Sequence, residues 1–150
     1  MTYLFSYGSN NPAQLEERLG HDVEMFAAYL PGYCRVFRGF SRRWGGGTAS
    51  LEPCERTTYG YVAVVSARDL TTLDRYEGVG AGIYRREIVH VRAQDVRDAA
   101  GLLRAVAYVH TSNVFSAPTR AYLDAVARTI GTFWHNPDGS PVTPANISVR

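Results

Sequence analysis

The sequence predicts an α+β domain with a largely antiparallel or mixed sheet that can close into a barrel. Three observations carry this reading. About seven runs look like strands and three like helices. Neighbouring strands are joined by short connections. Helices fill only the gaps after the first and fifth strands and the stretch after the last, which is not the regular alternation of a doubly wound parallel sheet.

The elements follow in order. Tyr3–Tyr7 is aromatic and apolar and is stopped by Gly8-Ser9-Asn10-Asn11, as a buried first strand running into a turn would be. Asn11 then caps a short helix with Pro12 at its first position, Leu15 and Leu19 on one face, and Gly20 at its end. Val23–Leu30, closed by Pro31-Gly32, and Cys34–Phe40 read as two strands, followed by a loop over Ser41–Gly47. Thr48–Leu51 and Tyr59–Val65 are a further pair. Ser66-Ala67-Arg68-Asp69 is a capping box, so a helix starts at Ala67, passes Leu70 and Leu73, and stops at Gly78. Tyr84–Val91 and Leu102–His110 are strand-like. Ala117-Pro118 opens a last helix with Leu123, Val126, Ala127 and Ile130 on one face and Gly131 at its close. Residues 1–134 are read as one domain, and 135–150, rich in Asn, Pro, Asp, Gly and Ser, as an extended or disordered tail.

The composition is that of an ordinary globular chain: 150 residues, 45% hydrophobic and 20% charged, argue against disorder. All 16 basic residues are arginine, a bias attributed to codon usage. It rules out a Schiff-base lysine, a pyridoxal-phosphate anchor and a Walker lysine together. A net charge of +2 gives no reason to expect nucleic acid or an anionic membrane as partner. Cys34 and Cys54 fit no zinc spacing and are expected as free thiols of a reducing compartment. With no apolar run near the ~18–20 residues of a membrane helix and no secretory signal at Met1–Phe5, a soluble cytoplasmic protein is expected.

No metal motif is present. His21, His90, His110 and His135 are dispersed; His90 and His110 sit on strands that could bring them together, and are expected to be ordinary strand histidines. Ser9 does not lie in a nucleophile elbow, and Gly45–Gly47 reads as a flexible turn. Glu77 is more informative. Counted from Leu70 and Leu73, it falls where the buried stripe calls for an apolar residue, in the last turn of its helix. Burial and the negative end of the helix dipole would both raise its pKa from about 4.3 toward neutrality, suiting it to general acid/base work. The alternative is a surface pairing with Arg75, Arg85 or Arg86. The second candidate is Tyr7-Gly8-Ser9-Asn10. A bend at Gly8 could gather successive N–H groups into an anion-binding concavity, although Gly-Ser-Asn is also a common turn.

Taken together, these residues resemble the gamma-glutamylcyclotransferase family. The matching pieces, in family order over residues 3–131, begin with Tyr3-Leu4-Phe5-Ser6-Tyr7-Gly8-Ser9-Asn10 and Leu15 to Arg18. Gly47-Thr48-Ala49-Ser50-Leu51 follows, then Leu73-Asp74-Arg75-Tyr76-Glu77-Gly78-Val79 and Gly82-Ile83-Tyr84-Arg85-Arg86. Ala107-Tyr108-Val109 and Ser116-Ala117-Pro118 leading to Tyr122-Leu123 complete the set. The resemblance implies a small β-barrel flanked by helices, mixed and mostly antiparallel. It implies cyclisation of a γ-glutamyl group to 5-oxoproline with release of an amino acid or amine, catalysed by Glu77 as general acid/base. Ser6, Tyr7, Gly8, Ser9, Asn10, Tyr108 and Tyr122 would bind the substrate, with no metal or other cofactor, in a monomer or homodimer. Asn11 departs from the family, which usually carries an apolar residue there. Arg42, Arg43, Arg85 and Arg86 gather near the expected mouth, as surface charges or as ligands of a substrate carboxylate. The loop is closer to the branch acting on γ-glutamyl amino acids than to the γ-glutamylamine branch. Other readings on the same barrel are a γ-glutamylamine cyclotransferase, a non-catalytic small-ligand module, and a single-strand nucleic-acid binder, which the near-neutral charge disfavours.

Overall fold

A computed structural model describes residues 1–94 and 101–144. Five strands, β1 (Thr2–Ser6), β2 (Met25–Ser41), β3 (Gly46–Val65), β4 (Tyr84–Ala93) and β5 (Leu102–His110), close a barrel in the order β1-β3-β2-β4-β5. Every pairing is antiparallel except that of β1 with β5, which sets Tyr3 and Leu4 beside Ala105 and Val106 and closes the ring. Three helices, α1 (Pro12–Leu19), α2 (Ala67–Tyr76) and α3 (Arg120–Phe133), pack on it.

Alternation along the strands sends successive side chains to opposite faces, so both faces of the barrel wall are buried. Phe5, Tyr7, Ala28, Val62, Val91 and Ala107 join Tyr122, Val126 and Ile130 of α3 in one cluster. Leu4, Tyr61, Ala63, Val65 and Val106 join Leu15 of α1 and Leu70 and Leu73 of α2 in the other.

The seven expected strands become five because two breaks are bridged. Pro31-Gly32 does not end a strand: exposed Pro31 still pairs with Thr57, and β2 continues past Gly32, at φ +81°, through a register shift that sets Tyr33 opposite Pro53. Likewise the polar stretch between Leu51 and Tyr59 stays in β3, because Glu52 and Pro53 pair with Cys34 and Tyr33, and Thr57 and Thr58 with Pro31 and Leu30, on either side of the irregularity at Cys54–Arg56. The last helix starts at Arg120, later than expected, with Thr119 as the cap. Ser116–Pro118 is spent elsewhere: Ser116 N donates to Phe37 O, and Gly47 N to Ala117 O. That crossing explains the glycine run. A Cβ on Gly47 would lie 2.0 Å from the Ser116 carbonyl oxygen, so these glycines serve close backbone approach rather than flexibility. Nor does Gly131 stop α3, which continues to Phe133, stacked on Tyr61 at 4.7 Å. Beyond it, 135–144 form no strand or α-helix, yet Val142 is buried in the α3 cluster; 145–150 lie outside the described residues.

Cys34 and Cys54 are not free thiols. They form a disulfide between β2 and β3, with Cα atoms 5.7 Å apart. A sequence separation of 20 hid the pairing, but the register sets Cys34 opposite Glu52 and so places Cys54 within reach. The expectation of a reducing compartment, which rested on free thiols, loses that support. The histidines do not meet either. His90 is exposed opposite Arg104, and His110 lies opposite Tyr84, six residues and about 20 Å along the ladder. Among the described residues no group of His, Cys, Asp or Glu could hold a metal ion, and no helix is long and apolar enough to cross a membrane.

Candidate active site

The site is built where β1 runs out. Ser6 is the last ladder residue and Tyr7 is buried: its hydroxyl donates to the Tyr108 carbonyl, and its own carbonyl accepts from Arg35 Nε at 2.7 Å. Gly8, Ser9 and Asn10 then cross to the Asn11 cap of α1, whose side chain accepts from Gln14 N. None of the three has a left-handed φ. Gly8 lies against Tyr122 and Ala49: a Cβ there would stand in ordinary contact, 3.4 Å from the Tyr122 hydroxyl and 3.5 Å from Ala49 Cβ. The backbone N–H groups of residues 8–10 find no acceptor among the described residues.

Glu77 meets this segment from α2. The capping box at Ser66 and Asp69 sets the start of the helix, and a Schellman motif ends it: Gly78 N donates to Arg75 O, and Val79 N to Asp74 O, with Gly78 at φ +68°. Glu77, the C-cap, projects inward, and its Oε1 accepts from Asn10 Nδ2 at 3.1 Å. It does not pair with Arg75, Arg85 or Arg86; Arg85 bonds Glu87, and Arg86 forks Asp74. Burial pushes the Glu77 carboxyl above its ordinary value, against a weaker pull from Asn10 and the Arg18 guanidinium.

A cavity of about 610 Å³ lies between these elements, and Ser6, Tyr7, Gly8, Ser9, Asn10, Glu77, Tyr108 and Tyr122 all line it. The tyrosines hold the wall more than they offer donors. The Tyr7 proton is committed to Tyr108 O, and that of Tyr108 is shared between Asp74 Oδ1 at 2.7 Å and Leu70 O at 3.2 Å. Tyr122 Oη accepts from Ala49 N at 2.7 Å. Burial raises all three phenols, Tyr122 to about 12, so they stay neutral.

Several lining residues were not in the expected set. Tyr84 bonds Thr48 Oγ1 at 2.6 Å and Ala49 O at 3.2 Å. Arg18 donates to Asn10 Oδ1 at 3.4 Å and lies over the Tyr76 ring. His110 has its Nδ1 bonded by Ser112 N at 2.9 Å, and burial lowers its pKa, which leaves a neutral ring with the proton on Nε2. Arg35, behind the wall, is buried and holds the carbonyls of Tyr7 and Tyr59. Its signal in the sequence was its strand phase, shared with Tyr33 and Phe37.

A closed mixed barrel flanked by three helices, with Glu77 the one acidic side chain among the described residues that lines its cavity, defines a small α+β barrel protein with a single candidate pocket carboxylate. The chain belongs to the gamma-glutamyl cyclotransferase, AIG2-like family, whose model matches residues 4–125. No curated protein matches the sequence. Among solved structures it is similar to a gamma-glutamyl cyclotransferase, with 23% identity and a TM-score of 0.76 over 85% of this chain and 77% of the other. A human protein described as uncharacterized matches with 22% identity and a TM-score of 0.80 over 91% and 82% of the two chains. A glutathione-specific gamma-glutamyl cyclotransferase from yeast matches with 16% identity and a TM-score of 0.56 over 93% and 81%. At these identities the likeness establishes the fold.

Proposed function

We propose that this chain is a gamma-glutamylcyclotransferase that converts a γ-glutamyl group to 5-oxoproline and releases an amino acid, with Glu77 as general acid/base. The observation that carries the reading is the burial-raised carboxyl of Glu77 facing the unspent amides of Gly8–Asn10 across one cavity. The substrate's α-amine, once deprotonated, attacks its own γ-carbonyl carbon. A C–N bond forms, the oxygen takes up negative charge, and collapse expels the leaving nitrogen. Glu77 takes the proton from the attacking amine and hands one to the leaving nitrogen, which a carboxyl poised above its usual range can do in sequence. The N–H groups of Gly8, Ser9 and Asn10 would receive the developing oxyanion or the α-carboxylate. Holding amine and carbonyl in ring-closing geometry supplies on the order of 7–11 kcal/mol, so this mechanism makes no demand for a cofactor.

The charge of the wall bears on the leaving group. Arg18, Arg42, Arg43 and Arg75 line the cavity, and Glu77 is the only acidic side chain among the described residues that does. An arginine-rich mouth favours a leaving group with its own carboxylate, hence γ-glutamyl amino acids over γ-glutamylamines. The test is a panel of γ-glutamyl-alanine, γ-glutamyl-butylamine and glutathione, with 5-oxoproline quantified by mass spectrometry. Turnover of the amino-acid conjugate in preference to the amine is expected. Ligand-induced stabilisation without 5-oxoproline from any of the three would replace the enzyme with a binding module.

A further inference from the structure

At the cavity wall, the lining residue Tyr108 is joined by short polar contacts to two side chains that lie outside the cavity, Asp74 and Arg86. Arg86 on β4 forks Asp74 on α2, Nε to Oδ1 at 2.8 Å and Nη2 to Oδ2 at 2.7 Å. The Tyr108 hydroxyl on β5 donates to the same Oδ1 at 2.7 Å and approaches Leu70 O at 3.2 Å, so two strands grip the last turns of α2 together. Neither Asp74 nor Arg86 lines the cavity.

We propose that Asp74 is a positioning residue for Glu77, locking the C-terminal turn of α2 to the barrel through Arg86 and Tyr108 and so setting how far the Glu77 carboxyl stands from Gly8–Asn10. Two features single out Asp74. Its side chain ties the helix to the barrel while its backbone carbonyl accepts from Val79 N, so one residue holds the chain on both sides of Glu77. The anchor also reaches the other half of the site. The Tyr108 carbonyl accepts from the Tyr7 hydroxyl, and the Tyr7 carbonyl is held by Arg35 Nε at 2.7 Å. Glu77 and the amides before α1 are therefore both referenced to Tyr108. An ångström of slack between reacting groups costs about 10²-fold in rate, which is the scale on which such a lock acts. Burial alone would raise the Asp74 carboxyl; the Arg86 fork and the Tyr108 hydroxyl outweigh it and hold Asp74 below the usual carboxylate range, ionised wherever the protein is folded and working. A partly exposed Arg–Asp pair with no such role would contribute little to anything measured.

The inference rests on Glu77 as the proton-transfer group, so its test has two readouts: kcat and KM for γ-glutamyl-alanine, and titration of the Glu77 carboxyl by NMR in protein labelled with ¹³C-glutamate. The groups facing Glu77 are Arg18 of α1, Tyr84 of β4, Tyr108 of β5, Tyr122 of α3 and Tyr7 after β1, and the phenols stay neutral over the titrated range. Loosening α2 lets water reach Glu77, so its midpoint falls. Tyr108→Phe, which changes no charge, should lower the midpoint and cut kcat roughly 10–100-fold with KM within about threefold. Asp74→Asn and Arg86→Met separate position from charge. Charge alone moves the midpoint down in the first and up in the second, whereas lost positioning moves it down in both. Arg86→Lys should restore part of what Arg86→Met loses. An unchanged midpoint in Tyr108→Phe, or a raised one in Arg86→Met, overturns the proposal. Should the wild-type protein make no 5-oxoproline, the proposed activity falls, and the NMR titration still decides the positioning role.

Discussion

Replacing Glu77 by glutamine separates chemistry from stability more cleanly than any other single change here. Glutamine keeps the shape and can still accept from Asn10 Nδ2, now 3.1 Å from Oε1, so the cavity and its amides stay as they are. What is lost is the proton acceptor. General acid/base groups contribute about 10²–10⁴-fold, so kcat should fall by that factor, about 3–5 kcal/mol in the barrier, with KM within about threefold. Stability should move the opposite way. Burial holds the folded-state carboxyl above its unfolded value. Such a group favours the fold fully below the unfolded pKa, and that advantage is lost as pH rises through the folded pKa and the carboxylate must ionise in place. Glu77→Gln should therefore melt higher than wild type at pH 8 and level with it near pH 4, by about 2–4 °C for each kcal/mol released in a chain of this length. The assay is 5-oxoproline formation from γ-glutamyl-alanine paired with calorimetry at the two pH values. A variant that retains kcat within threefold, or melts lower at pH 8, would refute the reasoning.

Three other outcomes test the fold around the site. Cys34 and Cys54 close a loop with a separation of 20, so converting both to serine should cost about 3 kcal/mol and lower Tm by roughly 6–12 °C, read by calorimetry. Gly47→Ala drives a Cβ to within 2.0 Å of the Ser116 oxygen and should cost about 3 kcal/mol, the upper end of overpacking, measured by urea unfolding. The bond from His21 Nε2 to Asp69 raises the histidine, so its contribution is complete below the unfolded histidine value of about 6.5 and disappears as pH rises through the raised one. His21→Gln should accordingly destabilise the protein at pH 6 and match wild type at pH 9 in thermal melts.

What could be read from the chain alone was whatever depends on neighbours in sequence. The α2 capping box and its Gly78 stop are local signals, and the helix begins at Ala67 as they require. Strand β5 runs over Leu102–His110, the bounds its apolar pattern marks. The helical phase of Glu77 also pointed correctly inward. What could not be read depends on partners far away. Pro31-Gly32 looks like a stop until β3 is present to carry the ladder past it. The cysteines look unrelated until register sets them side by side, and the glycines of the tip look merely flexible until Ser116 and Ala117 cross them. Arg35 was passed over because an arginine on a strand is ordinarily solvated; only two carbonyls left facing inward by a closing barrel make a buried one useful.

The single parallel seam between β1 and β5 also dictates an order of assembly. The ribbon of β2 and β3 turns through a tip of four residues between Ser41 and Gly46, local enough to form on the microsecond scale of hairpins. The seam joins Tyr3 to Ala105, about a hundred positions apart, at a chain-closure cost of roughly 4 kcal/mol before any contact repays it. It must wait until the intervening strands have shortened that path. The amides of Gly8–Asn10 hang from β1 and Tyr108 from β5, on opposite lips of the seam. The cavity thus has no half-built form: in refolding, the capacity to bind a ligand should return with the slowest phase, after most of the secondary structure is already in place.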